Sequence, residues 1–82
     1  MKRNFFGEVI AQPGDDPWML FEDMGVDMSD NVLAFRHVEE DENFGWTCEL
    51  ETERGDTMQV HDFDSEDALR QWLSQHMIED EI

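Results

Sequence analysis

The stretch Gly45-Trp46-Thr47-Cys48-Glu49-Leu50-Glu51-Thr52 limits the possible folds most. Apolar Trp46, Cys48 and Leu50 alternate with polar Thr47, Glu49 and Glu51. A period of two sends successive side chains to opposite faces of a sheet. This is the pattern of a strand with one face on a core and the other, acidic, in water. Its neighbours can be placed against it. Thr57-Met58-Gln59-Val60-His61 alternates as well, with Met58 and Val60 apolar. A two-residue Arg54-Gly55 turn would set Leu50 against Gln59 and mix the faces. A three-residue loop, Glu53-Arg54-Gly55, sets Leu50 opposite Met58 and Cys48 opposite Val60, and puts Gly55 at the left-handed position. The outer face then pairs Glu51 with Thr57, Glu49 with Gln59 and Thr47 with His61.

Upstream, residues 32–38 (Val-Leu-Ala-Phe-Arg-His-Val) read as a third strand with Leu33, Phe35 and His37 inward. A loop around Glu40-Asp41-Glu42-Asn43 sets Phe35 opposite Cys48 and Leu33 opposite Leu50. Arg36 then faces outward near Glu49, a favourable cross-strand placement.

Residues 4–11 offer an additional strand, although Phe5, Phe6, Val9 and Ile10 do not alternate cleanly. Asp16 followed by Pro17 is a helix start, with the aspartate as cap and the proline at the first helical position. Trp18, Phe21 and Met24 form its stripe, and Gly25 is its natural stop. The clearest helix runs from Ser65 to about Ile78. Asp64 is its expected cap, and Leu69, Trp72, Leu73, His76 and Met77 form its apolar face. Glu79-Asp80-Glu81-Ile82 is expected to fray, because acids oppose the dipole at that end. The expected fold is a single α+β domain over residues 1–82. It is a three-stranded antiparallel meander, four-stranded if residues 4–11 join, packed against a C-terminal helix and carrying a short N-terminal one.

The 82 residues make a marginal core, although 39% are hydrophobic, too many for a disordered acidic tail. Glu8 interrupts the apolar stretch after Lys2 and Arg3 too early for a secretion signal, and no long apolar run suggests a membrane span. Cys48 is the single cysteine, so no internal disulfide forms, which fits a reducing cytoplasm. No cofactor is implied.

Chemistry-bearing motifs are absent. His37, His61, His76 and Cys48 lack short ligand spacing. Asp62, Asp64 and Glu66 resemble the start of a calcium loop, but Asp67 stands where glycine is needed and Leu73 where glutamate is needed. No serine sits in a strained elbow, no glycine-rich phosphate loop exists, and nothing marks one carboxyl as buried acid and another as ionised partner. An enzyme is therefore not expected.

The charge remains. Twenty-two acids against five bases give −17. Residues 1–38 hold seven acids and three bases (net −4), and residues 39–82 hold fifteen acids and two bases (net −13). Direct binding of nucleic acid is opposed by this charge. A domain of this length has a radius of gyration of about 12 Å. Duplex DNA of comparable extent, roughly 30 Å, carries about 18 charges. Strand carboxylates two residues apart lie about 6.6 Å from each other, similar to neighbouring phosphates. The expected function is an inhibitor that substitutes for DNA or RNA on a basic nucleic-acid-binding protein or nuclease. The contact is assigned to Glu39, Glu40, Asp41, Glu42, Glu49, Glu51, Glu53 and Asp56, with Trp18 and Phe21 as apolar anchor. In size and composition the chain is similar to phage-encoded nucleic-acid mimics, anti-restriction and anti-CRISPR proteins among them. That resemblance implies a place in the host cytoplasm and carries no residue across. Two other readings share the composition: an immunity protein or antitoxin covering a basic toxin, and an ordinary domain of a halophile.

Overall fold

The computed structural model describes residues 1–82. The radius of gyration is 11.8 Å and the longest extent 34 Å. The elements are β1 (Lys2–Arg3), β2 (Val9–Ala11), α1 (Pro17–Asp23), β3 (Leu33–Asp41), β4 (Gly45–Thr52), β5 (Thr57–Phe63), α2 (Glu66–Gln75) and β6 (Asp80–Glu81). They form one six-stranded sheet in the order β1-β2-β5-β4-β3-β6. The meander β3-β4-β5 is antiparallel, with the alternating strand in its middle. The sheet is wider than the sequence pattern implies. β2 joins β5 in parallel, β1 adds antiparallel to β2, and β6 adds in parallel to β3. No helix is long and apolar enough to cross a membrane.

The helix-covered face of the sheet is the core. Leu33, Phe35, Cys48, Leu50, Met58 and Val60 pack with Phe21 of α1, Leu69, Trp72 and Leu73 of α2, and Ile78. Leu50, Val60, Phe21 and Leu69 have no exposed surface. Each such side chain stabilises the fold by roughly 1.5–3 kcal/mol.

The β4–β5 hairpin has the expected register over most of its length: Leu50 faces Met58, Cys48 faces Val60, Glu49 faces Gln59 and Glu51 faces Thr57. Gly55 sits at φ 92°. The expected pairing of Thr47 with His61 does not form. The ladder slips there, and Trp46 pairs with Phe63. The extra residue forms a bulge at His61–Asp62, with Asp62 at φ 74°.

The β3–β4 register differs by two residues from expectation. Phe35 faces Leu50, Leu33 faces Thr52 and Arg36 faces Glu49. A second bulge follows, since the ladder slips between Arg36 and Glu39. His37 is therefore exposed at φ 57°, not inward, and Val38 packs on the core instead. The strand continues through Asp41, so the turn falls at residues 42–44.

The helices begin close to where sequence places them. Asp16 caps α1 by accepting from the Trp18 amide, with Pro17 behind it. Ser65, not Asp64, caps α2, accepting from the Ala68 amide at 3.1 Å. The helix stops at Gln75. The Ile78 amide reaches back to the Leu73 carbonyl and the Met77 amide to that of Ser74, a closed C-terminal motif with Met77 left-handed at φ 62°. This turns Met77 out, 83% exposed, and buries Ile78 in its place. The last residues do not fray: Ala34 pairs with Asp80 and Phe35 with Glu81, and the Ile82 amide donates to the Phe35 carbonyl at 2.8 Å.

Two substitutions test the backbone. A Cβ on Gly45 would sit 2.7 Å from the Phe63 carbonyl oxygen, and its φ is 68°. Gly45→Ala should lower unfolding stability by about 2 kcal/mol or more in urea titration. Met77→Gly should raise it by about 1 kcal/mol, because only left-handed strain is removed. A neutral result at Gly45 would mean that the β3–β4 turn is not held against β5.

Candidate partner-binding surface

The eight acids assigned from sequence do not form one patch. β4 separates two groups of them by seven residue steps, roughly 23 Å. Glu39, Glu40, Asp41 and Glu42 lie at the Gly45 end, and Glu53 and Asp56 at the Thr52 end. Glu49 and Glu51 lie between, on the sheet face away from the core.

That open face is not a bare acidic ridge. Arg36 lies across it, with Nη2 2.6 Å from Glu49 and Nη1 2.6 Å from Glu51. Gln59 Nε2 donates to the other Glu49 oxygen at 2.9 Å. Both carboxylates are partly buried under these contacts, with side chains 22% and 25% exposed. The hydrogen bond to Glu49, with Glu51 alongside, holds the Arg36 guanidinium above its ordinary pKa. Reversal of these two acids to lysine would therefore set three cations together on the sheet and damage it. They are fixed members of the face, not free charge.

Near β1 the same pairing recurs. Lys2 Nζ lies 2.8 Å from Asp62, which also accepts from Gln12 Nε2 at 2.8 Å. Burial pushes the Asp62 carboxyl up, but the bonds from Lys2 and Gln12 outweigh it and the pKa falls below its ordinary value. Lys2 also lies 4.9 Å above the Phe44 ring, which stacks on His61 at 4.7 Å. These contacts tie the first strand to the bulge of β5.

The assigned acids at the Gly45 end are unpaired. Glu39, Glu40, Asp41 and Glu42 take part in no ion pair. Asp41 has a structural task, since its carboxylate accepts from the Asn43 and Phe44 amides and shapes the turn. Glu40, Asp41, Glu42 and Asp64 line a shallow groove of about 550 Å³ together with Trp46 and Phe63, and no base lines it. Asp56 at the far end is bound to the Thr52 hydroxyl, so only Glu53 is a free carboxylate among the assigned acids there.

Burial removes Phe21 from the assigned apolar anchor. Phe21 is fully enclosed and belongs to the core. Trp18 is half-buried, and its indole N–H donates to the His76 carbonyl at 2.8 Å. The most exposed aromatics are Phe5 and Phe6, 96% and 82% exposed, in the turn between β1 and β2. Sequence periodicity missed them because it read residues 4–11 as one strand. The Asn4…Gly7 spacing is a turn signal that was available.

No group of three or more histidine, cysteine, aspartate or glutamate side chains is arranged to hold a metal ion. Cys48 is buried, and burial pushes its thiol up to about 12. Comparison with protein families, with curated proteins and with solved structures returned no match for this chain.

His61 gives a pH test of the packing at the β5 bulge. Its Nδ1 is buried without a hydrogen-bond partner. Burial, then the charge of Lys2, lowers its pKa. Above pH ~7 the imidazole is neutral in both folded and unfolded chains. As pH falls through ~6.5 the unfolded chain takes the proton first, so stability drops until the lower folded pKa is reached. His61→Phe keeps the stack on Phe44 and removes the titration. The variant's advantage in urea midpoint should grow between about pH 7 and pH 5. An equal difference at both pH values would show that the ring is not held neutral.

Proposed function

We propose that this protein is an acidic decoy. It occupies the basic surface by which a nuclease, a restriction or CRISPR effector, a glycosylase or a DNA-binding regulator holds nucleic acid, and so inhibits it. The observation that carries the reading is the run Glu39–Glu42 with Asp64 at one end of the sheet, without a counter-ion. Elsewhere on the sheet face, acids that meet are given a base, as Arg36 is given to Glu49 and Glu51 and Lys2 to Asp62. Apart from Asp41, which shapes the turn, this uncompensated cluster makes no contact that stabilises the fold. Repulsion within it lowers stability and creates a strong local field. Such a field accelerates encounter with a basic cleft and makes the complex salt-sensitive. Because β3 and β4 fix the backbone beneath it, little ordering entropy is lost when the cluster docks. Glu49 and Glu51, held at strand spacing by Arg36, add one net negative charge on the open face.

An immunity protein would use the same carboxylates against one toxin, whereas a decoy acts on several basic proteins. A halophile domain would need molar salt to fold, whereas a decoy folds in dilute buffer.

The test uses a panel of purified basic nucleases and DNA-binding proteins, each holding a fluorescent duplex. The wild-type chain should displace the duplex from several of them, less well as salt rises. Glu39→Lys, Glu40→Lys and Glu42→Lys together should raise the inhibitory concentration about 100-fold while the melting temperature holds or rises. Asp41 is left in place because it shapes the turn. The equal reversal Asp30→Lys, Glu79→Lys, Asp80→Lys, at exposed and unpaired sites, should cost less than about fivefold. Displacement of none of the duplexes, or equal loss in both triple variants, would overturn the reading.

A further inference from the structure

We infer that the Phe5–Phe6 turn is an apolar anchor that inserts into a pocket with a cationic rim on a partner protein. The inference rests on the decoy reading only for the sign of the partner's charge.

The turn is built, not loose. The Asn4 side-chain oxygen accepts from the Phe6 amide at 2.9 Å and the Glu8 amide at 3.0 Å. The Asn4 amide donates to the Glu8 carbonyl and the Gly7 amide to the Asn4 carbonyl, each at 3.0 Å. Arg3 Nη1 donates to the Gly7 carbonyl at 2.8 Å, and Asn4 Nδ2 to Glu8 Oε1 at 2.9 Å. Gly7 supplies the left-handed residue at φ 80°. All of this needs Asn4 and Gly7, and none of it needs Phe5 or Phe6. Yet two phenylalanines stand there, 96% and 82% exposed, edge to face with centroids 5.5 Å apart. Exposed apolar groups of this size on a fixed backbone mark a contact site.

The surroundings point to the partner's chemistry. An open cavity of about 680 Å³ lies at the foot of the turn, walled by Val9, Leu20, Met24 and Met58, with Glu8 and Asp23 at its edge. β2 runs parallel to β5, so the turn before β2 stands at the same end of the sheet as the β4–β5 turn, where Glu53 and Asp56 lie. Arg3 also lines the cavity, its guanidinium donating to the Gly7 carbonyl, and Arg54 stands between Glu53 and Asp56. The four carboxylates Glu8, Asp23, Glu53 and Asp56, none of them ion-paired, outnumber these two bases. The result is an aromatic knob above a base with an excess of carboxylates. Its complement is an apolar pocket ringed by lysine or arginine. A second copy of the chain, at −17, carries the wrong sign.

The first probe is fully aminated β-cyclodextrin, an apolar cup with a ring of ammonium groups, compared with neutral β-cyclodextrin by calorimetry and by chemical shifts of the Phe5 and Phe6 rings. The full chain should bind the aminated cup about tenfold tighter than the neutral one, with the advantage fading in salt. Phe5→Ala with Phe6→Ala should abolish binding at an unchanged melting temperature. In the duplex-displacement assay the same double variant should raise the inhibitory concentration about tenfold with an unchanged salt slope.

Binding of the aminated cup by the double variant, or equal affinity for both cups, would overturn the inference. So would a wild-type dimer in sedimentation that the double variant lacks, or wild-type uptake by phosphatidylcholine vesicles that the double variant lacks. The cup assay needs no inhibited protein. It can fail while the acidic-cluster reversals still abolish inhibition, and it can succeed where the duplex panel shows none.

Discussion

The whole molecule depends on β4 being paired on both edges while one of its faces is sealed by helices. Cys48 and Leu50 are buried on that face. Their alternation leaves Thr47, Glu49 and Glu51 only the other side. A shift of one residue would exchange the two sets and place carboxylates under α2. The strand's position is thus fixed by burial, and the acidic side of the sheet is a consequence of the apolar side. The two bulges lie against the same short part of β4, one on each neighbour, and sharpen the bend and twist there while the pairs of Leu50 stay in register.

This arrangement explains how a small core tolerates so much like charge. The few bases act as staples. Arg36 joins β3 to β4, Lys2 joins β1 to the β5 bulge, and Arg70 joins α2 to β6 through Glu81. Arg3 closes the Phe5–Phe6 turn. Glu49 and Glu51, which meet in the middle of the sheet, share one arginine, and the surplus lies at strand ends, turns and helix ends, where water screens it. The free charge is therefore a property of the rims, and the densest rim follows β3.

How much was legible in the chain follows from what each signal measures. Alternation and Gly55 place β4 against β5 because a wrong register there would have buried glutamates. The β3 register was not legible, because the strand runs on through Asp41 and turns only at residues 42–44, and the bulge at His37–Val38, which no periodicity announces, takes back one residue of that shift; His37 looked apolar by position only. β6 was hidden because Asp80 and Glu81 oppose a helix dipole. They are no longer in a helix, since the chain closes α2 at Gln75 and pairs with β3. The acidic run was plain from composition, but its ion-pairing was only partly so: Arg36 beside Glu49 was expected, and its second contact to Glu51 was not. The exposed aromatics were not legible. Trp18 and Phe21 share a helical stripe, which is equally the pattern of a core. Phe5 and Phe6 are adjacent, so they fit neither period, and only the turn geometry sets both in solvent.

The lone thiol has a practical consequence. Cys48 sits in the middle strand under the helices, and burial holds it protonated far above neutral pH. A thiol-specific reagent needs the thiolate and a path to the sulfur. Neither exists until the sheet parts from α2. The rate at which this chain is alkylated therefore clocks the opening of its interior, with no engineered label required.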